Sequence, residues 1–331
     1  MRHPSFRFPR IAFMAAALLS IATVGSACAS DEPAEADRLR VVTSLPLLAE
    51  FASRVGGEAV EVSSIVPLGV DEHSYQPPTT VARDIAQADV VFVNGYGLEE
   101  TVLGLIVNNV RDGVPVVPAA RGLTPLEADH DHEHGEDAHA EEEHAEEVDT
   151  TGLDPAVHAE GDPHFWLAAA NTVAYVETIR DALIAADAAN EAGYRERADV
   201  LVTELRALDE EVRAALAVVP EDRRKIVVFH NAFAYFAEAY GFEVFESVAP
   251  ANPNQQASAQ EIAGIIRSVR EAGVPALYAE PQFSAQTLEA IAAETGTRVL
   301  VLHSIPGEDV PTYAELMRAN AAALVAGLGA P

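Results

Sequence analysis

Cysteine and basic residues are scarce in this 331-residue chain. Cys28 is its only cysteine, so a disulfide within the chain is excluded, and so is a thiolate-rich zinc site. Lysine and arginine number 21 against 52 aspartates and glutamates, which gives a formal net charge of −31. This charge argues against nucleic acid as a partner, because phosphate backbones call for clustered basic residues.

A long hydrophobic segment is also missing, since no apolar run reaches the ~20 residues that a membrane-spanning helix needs. The longest run, residues 11–24, follows three arginines and precedes a cluster of small residues. This pattern predicts a signal peptide over residues 1–29 and therefore an exported, extracytoplasmic protein. Cys28 lies where a bacterial lipobox places its lipidated cysteine, which predicts a lipid anchor in the membrane. Ordinary cleavage nearby, giving a soluble periplasmic protein, is the alternative, because Gly25 stands where such boxes usually carry leucine.

The rest of the chain has the composition of a folded protein with two lobes. Apolar residues make up 49% of it, and its length suits two units of roughly 100–150 residues each. After an acidic tether, residues 30–38, apolar β-branched runs alternate with helical stretches through residues 39–167. This βαβ rhythm predicts an N-terminal lobe built on a mainly parallel sheet flanked by helices. Its strands are predicted at Leu39–Thr43, Val60–Val66, Asp89–Asn94 and Val114–Val117.

Residues 168–217 are strongly helical and separate this lobe from a second one. The longer helix predicted there, residues 188–217, would extend about 42 Å at ~1.5 Å per residue, so we expect it to join the lobes rigidly. The βαβ rhythm then returns in a C-terminal lobe, residues 218–331. The predicted fold class is therefore α/β, with a ligand-binding cleft between two lobes. Strands of the second lobe are predicted at Lys225–Phe229, Glu243–Glu246, Ala276–Ala279 and Arg298–Leu302.

Four histidines lie outside residue 3 and one histidine-rich segment: His73, His164, His230 and His303. His230 and His303 each directly follow an apolar run, and His73 comes shortly after another. Because ligands bind beyond the carboxyl ends of strands in open α/β sheets, these three residues point to that edge. Imidazole suits Zn²⁺, which takes four N, S or O ligands in a tetrahedron. One such histidine alone would more often be a hydrogen-bonded packing residue, but four in this placement favour a metal site.

The histidine-rich segment is a predicted loop, residues 124–161, that interrupts the fold. It contains no lysine or arginine, and its histidines alternate with acids. Short histidine-rich tracts commonly bind metal, so we predict weaker, auxiliary zinc binding here and a loop that is flexible and dispensable for the main site. A solvated acidic loop is the alternative. The predicted auxiliary ligands are His130, His132, His134, His139 and His144.

Four motifs resemble those of the high-affinity zinc-uptake solute-binding proteins. They are Glu72-His73-Ser74-Tyr75, Asp162-Pro163-His164-Phe165-Trp166-Leu167, His230-Asn231-Ala232-Phe233-Ala234-Tyr235-Phe236 and Ala279-Glu280-Pro281-Gln282-Phe283. These proteins belong to the metal-binding class of ABC-importer receptors built on a rigid helical backbone. The resemblance extends from about residue 39 to residue 330, and the second and third motifs are the specific ones.

The resemblance implies a transported Zn²⁺ ion held between the lobes by His73, His164, His230 and His303. Members that carry manganese usually have carboxylates at the last two positions, where this chain has histidines. His303 stands where aspartate is common, so Glu72 and Glu280 are substitute ligands or neighbours that orient a ligand. The implied partners are an ABC permease and ATPase and, further, a periplasmic zinc chaperone, with the receptor itself a monomer.

Two other functions fit parts of the sequence. A zinc-dependent hydrolase would need three histidines, an open position for water and a base such as Glu72 or Glu280. The chain has no His-Glu-x-x-His helix and no Gly-x-Ser-x-Gly elbow, so we expect no enzymatic activity. A surface adhesin or a passive zinc buffer would share the fold and differ only in its partner.

Overall fold

Two four-stranded parallel sheets form the centre of the protein. The computed structural model describes residues 38–127, 150–249 and 257–329. In the first sheet the strand order is β2-β1-β3-β4, with all neighbours parallel. These strands are β1 Leu39–Thr43, β2 Val60–Ser64, β3 Val90–Val93 and β4 Val116–Pro118. The central strand β3 is four consecutive buried apolar residues, as expected for a strand covered by helices on both faces.

The second sheet repeats the first in its topology. Its strand order is β6-β5-β7-β8, again with all neighbours parallel. The strands are β5 Lys225–Val228, β6 Glu243–Ser247, β7 Ala276–Ala279 and β8 Arg298–Val301. In each sheet the chain reverses its direction of progress between the first and third strand. Such a switch point leaves a crevice at the carboxyl ends of the strands, where ligands bind.

Nine α-helices in the described residues cover the sheets and connect them. They are α1 Pro46–Gly56, α2 Val81–Gln87, α3 Glu100–Asn109, α4 Thr172–Ala186, α5 Glu191–Leu216, α6 Ala234–Tyr240, α7 Ala259–Ala272, α8 Gln286–Thr295 and α9 Tyr313–Leu328. The 26-residue helix α5 is the predicted connector and packs against α1 of the first lobe and α9 of the second. It begins slightly later than predicted, because residues 188–190 form a separate 3-10 turn in which Asp187 accepts a hydrogen bond from the Asn190 side chain.

Hydrogen bonds tie the two lobes directly to each other. The Trp166 indole donates to the Ser304 carbonyl at 2.6 Å, and the Tyr313 hydroxyl donates to the Trp166 carbonyl at 2.6 Å. On the same side, the Gly69 amide donates to the Pro306 carbonyl at 2.9 Å. One buried hydrophobic cluster also extends from β1 to α9. Residues from Arg38 onward therefore form one compact unit. The lobe bounds 39–167 and 218–331 stay predictions.

Both described ends of the predicted flexible loop 124–161 pack against the core. The prediction of a flexible loop is therefore wrong for these two arms, residues 124–127 and 150–161. Val157 is buried, and the Ala156 carbonyl accepts the Tyr96 amide at 2.7 Å. Gly95 approaches so closely that a Cβ atom there would lie 2.6 Å from the Ala156 oxygen. On the other arm, Leu126 packs against the core. The apolar residues at the ends of the acidic tract provide this anchoring.

Several predictions fall on residues outside the described ranges. These are the signal peptide 1–29 with Cys28, the tether 30–38 except for Arg38, and the auxiliary ligands His130, His132, His134, His139 and His144. No helix in the described part of the chain is both long and apolar enough to cross a membrane.

Candidate metal centre

Three of the predicted histidines converge at the meeting point of the two lobes. The possible ligand atoms of His73, His164 and His230 all lie within 4.8 Å of one another. The ring centroids are 5.3 Å apart for His73 and His164, 5.3 Å for His73 and His230, and 5.0 Å for His164 and His230. Among the described residues, this is the one group of three or more histidine, cysteine or carboxylate side chains that could hold a metal ion.

His164 is fixed by an aspartate two residues earlier in the chain. The Asp162 Oδ1 atom accepts the His164 backbone amide at 2.9 Å and lies 2.7 Å from the ring Nδ1. This carboxylate favours the proton on Nδ1, which leaves the lone pair of Nε2 directed at the centre. A short 3-10 turn, Phe165–Leu167, follows and is fully buried, so the backbone beneath His164 is held firmly.

His230 is positioned by the switch point of the second sheet. It lies two residues beyond the end of β5, and Glu280 directly follows the neighbouring strand β7. The Glu280 carboxylate accepts the His230 amide at 3.3 Å and lies 3.3 Å from the ring Nδ1. Glu280 therefore has the place of an orienting partner, one of the two roles predicted for it.

His73 comes from a turn after β2, and its backbone is held by Asp71. The Asp71 carboxylate accepts the His73 amide at 3.1 Å and a hydrogen bond from the Ser74 hydroxyl. The His73 Nε2 atom lies 3.2 Å from the Nε2 atom of His164. Two imidazoles whose Nε2 atoms face each other at this distance form half of a tetrahedral nitrogen site once both are deprotonated.

Glu72, next to His73 in the chain, supplies a buried carboxylate that interacts electrostatically with His230 but lies outside the group of three imidazoles. The residue is 3% exposed, and neither carboxylate oxygen accepts a hydrogen bond from another described residue. Burial raises the pKa of Glu72 to about 7, although the nearby charge of His230 acts in the opposite direction. A buried carboxylate without donors is costly unless it is protonated or compensated by a cation. The two oxygens therefore fit a positive ligand.

His303, the predicted fourth ligand, lies outside the group of three histidines. Its strand, β8, is the edge strand and lies two strands from β5. Because neighbouring strands are ~4.8 Å apart, the backbone of His303 should lie about 10 Å from that of His230 across the sheet. The Asn320 side chain also holds its backbone against α9, accepting the His303 amide at 2.8 Å and donating to its carbonyl at 2.8 Å. A histidine after a strand is thus informative only when the strand order is known.

The surroundings of His73 and His230 shift the pKa values of the two imidazoles in opposite directions. Burial, reinforced by repulsion from His164 and His230, lowers the pKa of His73 well below its ordinary value. Burial also acts to lower the pKa of His230, but the Glu280 carboxylate, with Glu72 and Asp162, raises it above the ordinary value. Three buried acids, of which only Glu72 has no hydrogen-bond donor from another described residue, thus act on this group of imidazoles. Such a group attracts a cation and cannot readily hold three protons.

A hydrogen-bond network beneath His164 was not predicted from the sequence. At the switch point of the first sheet, the Glu99 carboxylate accepts the Ser44 hydroxyl and the Asn94 and Gly95 amides at 2.6–3.0 Å. The Asn94 side chain in turn donates to the Pro163 carbonyl at 2.9 Å, directly before His164. The sequence does show a polar residue, Asn94, directly after β3. Its partner, the Pro163 carbonyl, is 69 positions away, so the contact could not be predicted.

Comparisons with known proteins identify the family of this chain. Residues 41–327 match the family model described as ZnuA, zinc-uptake complex component A, periplasmic. The manganese-binding lipoprotein MntA of Halalkalibacterium halodurans is 28% identical, over 94% of this chain and 96% of its own. The metal ABC transporter substrate-binding lipoprotein SsaB of Streptococcus sanguinis is 26% identical, over 96% and 99%. The crystal structure of a zinc-bound ZnuA deletion mutant has 26% identity and a TM-score of 0.71, covering 89% of this chain and all of that one.

The family match covers most of the chain, and the relatives align with it almost from end to end. The family accounts for the two parallel sheets and the long connecting helix. Its members serve importers as solute-binding proteins, and their role is not enzymatic. This chain belongs to the family of the periplasmic zinc-uptake component ZnuA and is a substrate-binding protein of a metal ABC transporter.

Proposed function

We propose that this protein captures Zn²⁺ outside the cytoplasm and delivers it to the permease and ATPase of an ABC importer. The observation that carries the proposal is the convergence of His73, His164 and His230, with ligand atoms within 4.8 Å of one another. Two of these rings have a carboxylate at Nδ1, which is the usual support of a zinc-binding imidazole.

Glu72 is the proposed fourth ligand. Its two buried oxygens have no donor from another described residue, and a bound cation would compensate their charge. Three nitrogens and one carboxylate oxygen then complete a tetrahedral set that zinc accepts readily. In this arrangement His303 is a neighbour of the site, and Glu280 holds His230 in place.

Manganese is the second candidate, favoured by the name of the relative MntA. The donor set argues for zinc, because Mn²⁺ prefers oxygen ligands and higher coordination numbers, whereas imidazole nitrogens suit Zn²⁺. The intrinsic order of affinities also places Mn²⁺ well below Zn²⁺ for any nitrogen site.

Competition between the two metals tests the assignment. The purified protein is titrated with Zn²⁺ and Mn²⁺ against a chelator, beside variants His73→Ala, His164→Ala, His230→Ala and the control His158→Ala. His158 is exposed and outside the cluster, so its loss should leave the tightest affinity unchanged. We expect zinc to be preferred by at least about a hundredfold and each cluster variant to weaken zinc about a hundredfold or more. Filling by manganese at equal free concentrations, or full affinity in the cluster variants, would reject the zinc site.

We further propose that the mature protein is exported and anchored through a lipid on Cys28. The relatives MntA and SsaB are both named lipoproteins. In cells, the parent should fractionate with membranes, and Cys28→Ser should lose this association. A parent found in the soluble fraction would favour the periplasmic alternative, and a serine variant that stays with the membranes would reject Cys28 as the anchor.

A further inference from the structure

The histidine- and acid-rich loop, residues 124–161, forms an acidic excursion from the fold. A single hydroxyl group joins both of its ends to the second lobe. The Tyr235 hydroxyl accepts the Leu126 amide at 2.9 Å and donates to the Asp162 carbonyl at 2.7 Å. The two chain segments are also bonded to each other, with the Asp162 amide donating to the Leu126 carbonyl at 3.0 Å. Asp162 is the residue whose carboxylate orients His164.

Tyr235 also belongs to the segment that carries His230. It lies five residues after that histidine, in the first turn of α6, and its ring stacks on Phe165 at 4.6 Å between centroids. Phe165 directly follows His164 in the chain, and Asp162 lies two residues before His164. The tyrosine therefore contacts the chain on both sides of His164, while its own backbone continues from His230.

From this geometry we infer that Tyr235 is a positioning residue of the metal site. Its hydroxyl sets the distance between the imidazoles of His164 and His230, which come from different lobes. The inference rests on the proposed function, because it assigns a role toward a metal held by those histidines. The hydroxyl itself is not a ligand, and it acts through Asp162.

The physical basis is that one oxygen atom, the Tyr235 hydroxyl, makes hydrogen bonds to two chain segments. Removal of the hydroxyl leaves the Leu126 amide and the Asp162 carbonyl without this partner, and both groups are partly shielded from water. The 162–164 segment would then relax relative to α6. Metal affinity depends steeply on ligand placement, since outer partners of ligating histidines typically contribute about ten- to a hundredfold. An indirect partner such as Tyr235 should contribute at the lower end of that range.

The chain offers a matched control on the same helix. The Tyr240 hydroxyl donates to the Asp209 carboxylate at 2.9 Å and accepts the Ala169 amide at 3.4 Å. It therefore ties α6 to the long helix α5 and to the chain five residues after His164, without a bond to Asp162. Tyr235→Phe and Tyr240→Phe both remove one buried tyrosine hydroxyl from α6. If Tyr235 served only to stabilise the fold, the two variants would behave alike toward metal.

The experiment compares these variants in the full-length protein by zinc titration against a chromophoric chelator and by thermal unfolding without metal. We expect both to melt at somewhat lower temperature than the parent. Only Tyr235→Phe should weaken zinc, by about five- to tenfold, with faster release to chelator. A zinc dissociation constant within about twofold of the parent, or equal weakening by Tyr240→Phe, would overturn the inference.

A double-mutant cycle with Asp162→Asn tests the route of the effect. If the hydroxyl acts through Asp162, the Tyr235→Phe change should affect zinc affinity much less in the Asp162→Asn background. Full additivity would contradict positioning through that aspartate. His164→Ala distinguishes failure of the proposed function from failure of this inference. Unchanged zinc affinity in His164→Ala would reject the proposed function. Weakened zinc affinity in His164→Ala together with unchanged affinity in Tyr235→Phe would reject this inference alone.

Discussion

At the scale of single residues, the site is built as much by carboxylates as by histidines. Asp162 and Glu280 each hold one imidazole by its Nδ1 atom, so the lone pairs of both Nε2 atoms are directed before any metal arrives. Glu72 differs from both, because its oxygens have no donor from another described residue. The hydrogen bonds of these three carboxylates thus distinguish two roles. Asp162 and Glu280 orient an imidazole, whereas Glu72 is available to a cation.

The fourth ligand can be identified by comparing Glu72→Gln with His303→Ala. We expect Glu72→Gln to weaken zinc by about ten- to a hundredfold, because the amide oxygen is a poorer ligand than a carboxylate. His303→Ala should change the affinity less than about threefold, since β8 lies two strands from β5. The two dissociation constants are measured by chelator competition. The opposite order of effects would restore His303 as the ligand.

Zinc binding should weaken as the solution becomes acidic. Metal binding requires deprotonated ligands, so protons compete wherever the pKa of a free ligand lies above the working pH. Burial raises the pKa of Glu72 to about 7, and the Glu280 carboxylate raises that of His230 despite the opposing effect of burial. The lowered pKa of His73 removes it from the competition.

Affinity should therefore be nearly constant above neutrality and fall between about pH 7 and 5.5, by about tenfold per pH unit for each proton displaced. Zinc titrations at several pH values, corrected for the chelator's own protonation, measure the slope. Glu72→Gln should reduce that slope by about one proton. An affinity that is flat across this range would show that none of these groups is a ligand.

At the scale of elements, the strands were predicted well because their signal is local. Runs such as Ile226-Val227-Val228-Phe229 and Val90-Val91-Phe92-Val93 are apolar and bounded by polar residues, so they indicate buried strands to within a residue or two at each end. The order of strands within a sheet is not local. For that reason the sequence could not show that His230 lies in the histidine group while His303, which also directly follows an apolar run, lies outside it.

The acidic excursion shows the same limit in another form. Its composition predicted one uninterrupted loop, but Leu126 and Val157 are anchored in the core by contacts that no local pattern reveals. Asn94 and Tyr235 were likewise invisible as supporting residues, because their partners lie 69 and 73 positions away. Sequence pattern thus indicates candidate ligands at strand ends more readily than the side chains that hold them.

Two deletions separate the arms of this excursion from the segment between them. Removing residues 128–149, bridged by a short linker, should leave the tightest zinc affinity nearly unchanged, because Leu126, Val157 and Asp162 keep their contacts. It should lower the number of zinc ions bound in excess zinc, since it removes five histidines. Removing residues 124–161 should weaken the tight site and lower the melting temperature, because it takes away Val157 and the Leu126–Tyr235 bond. Equal behaviour of the two deletions in affinity and melting would contradict anchoring by the arms.

At the scale of the whole molecule, charge and packing act together on metal capture. A net charge of −31 raises the local concentration of cations around the protein, an effect that salt screens over about 8–10 Å. One hydrophobic cluster and the bonds from Trp166 and Tyr313 hold the lobes together through contacts that use none of the three histidines. The site therefore lies in a largely preformed cleft, and little ordering cost opposes binding.

Because the proposed ligands come from both lobes and one hydrophobic cluster extends from β1 to α9, zinc should stabilise the chain as one cooperative unit. A ligand that binds only the folded state adds about 2.7 kcal/mol at a free concentration about a hundred times its dissociation constant. For a chain of this size, that corresponds to an increase in melting temperature of about 5 °C. Calorimetry should show one transition that moves upward with zinc in the parent and in the 128–149 deletion, but not in His164→Ala. Two transitions, of which zinc moves only one, would show that the lobes unfold separately; an upward shift in His164→Ala would place the stabilising zinc elsewhere.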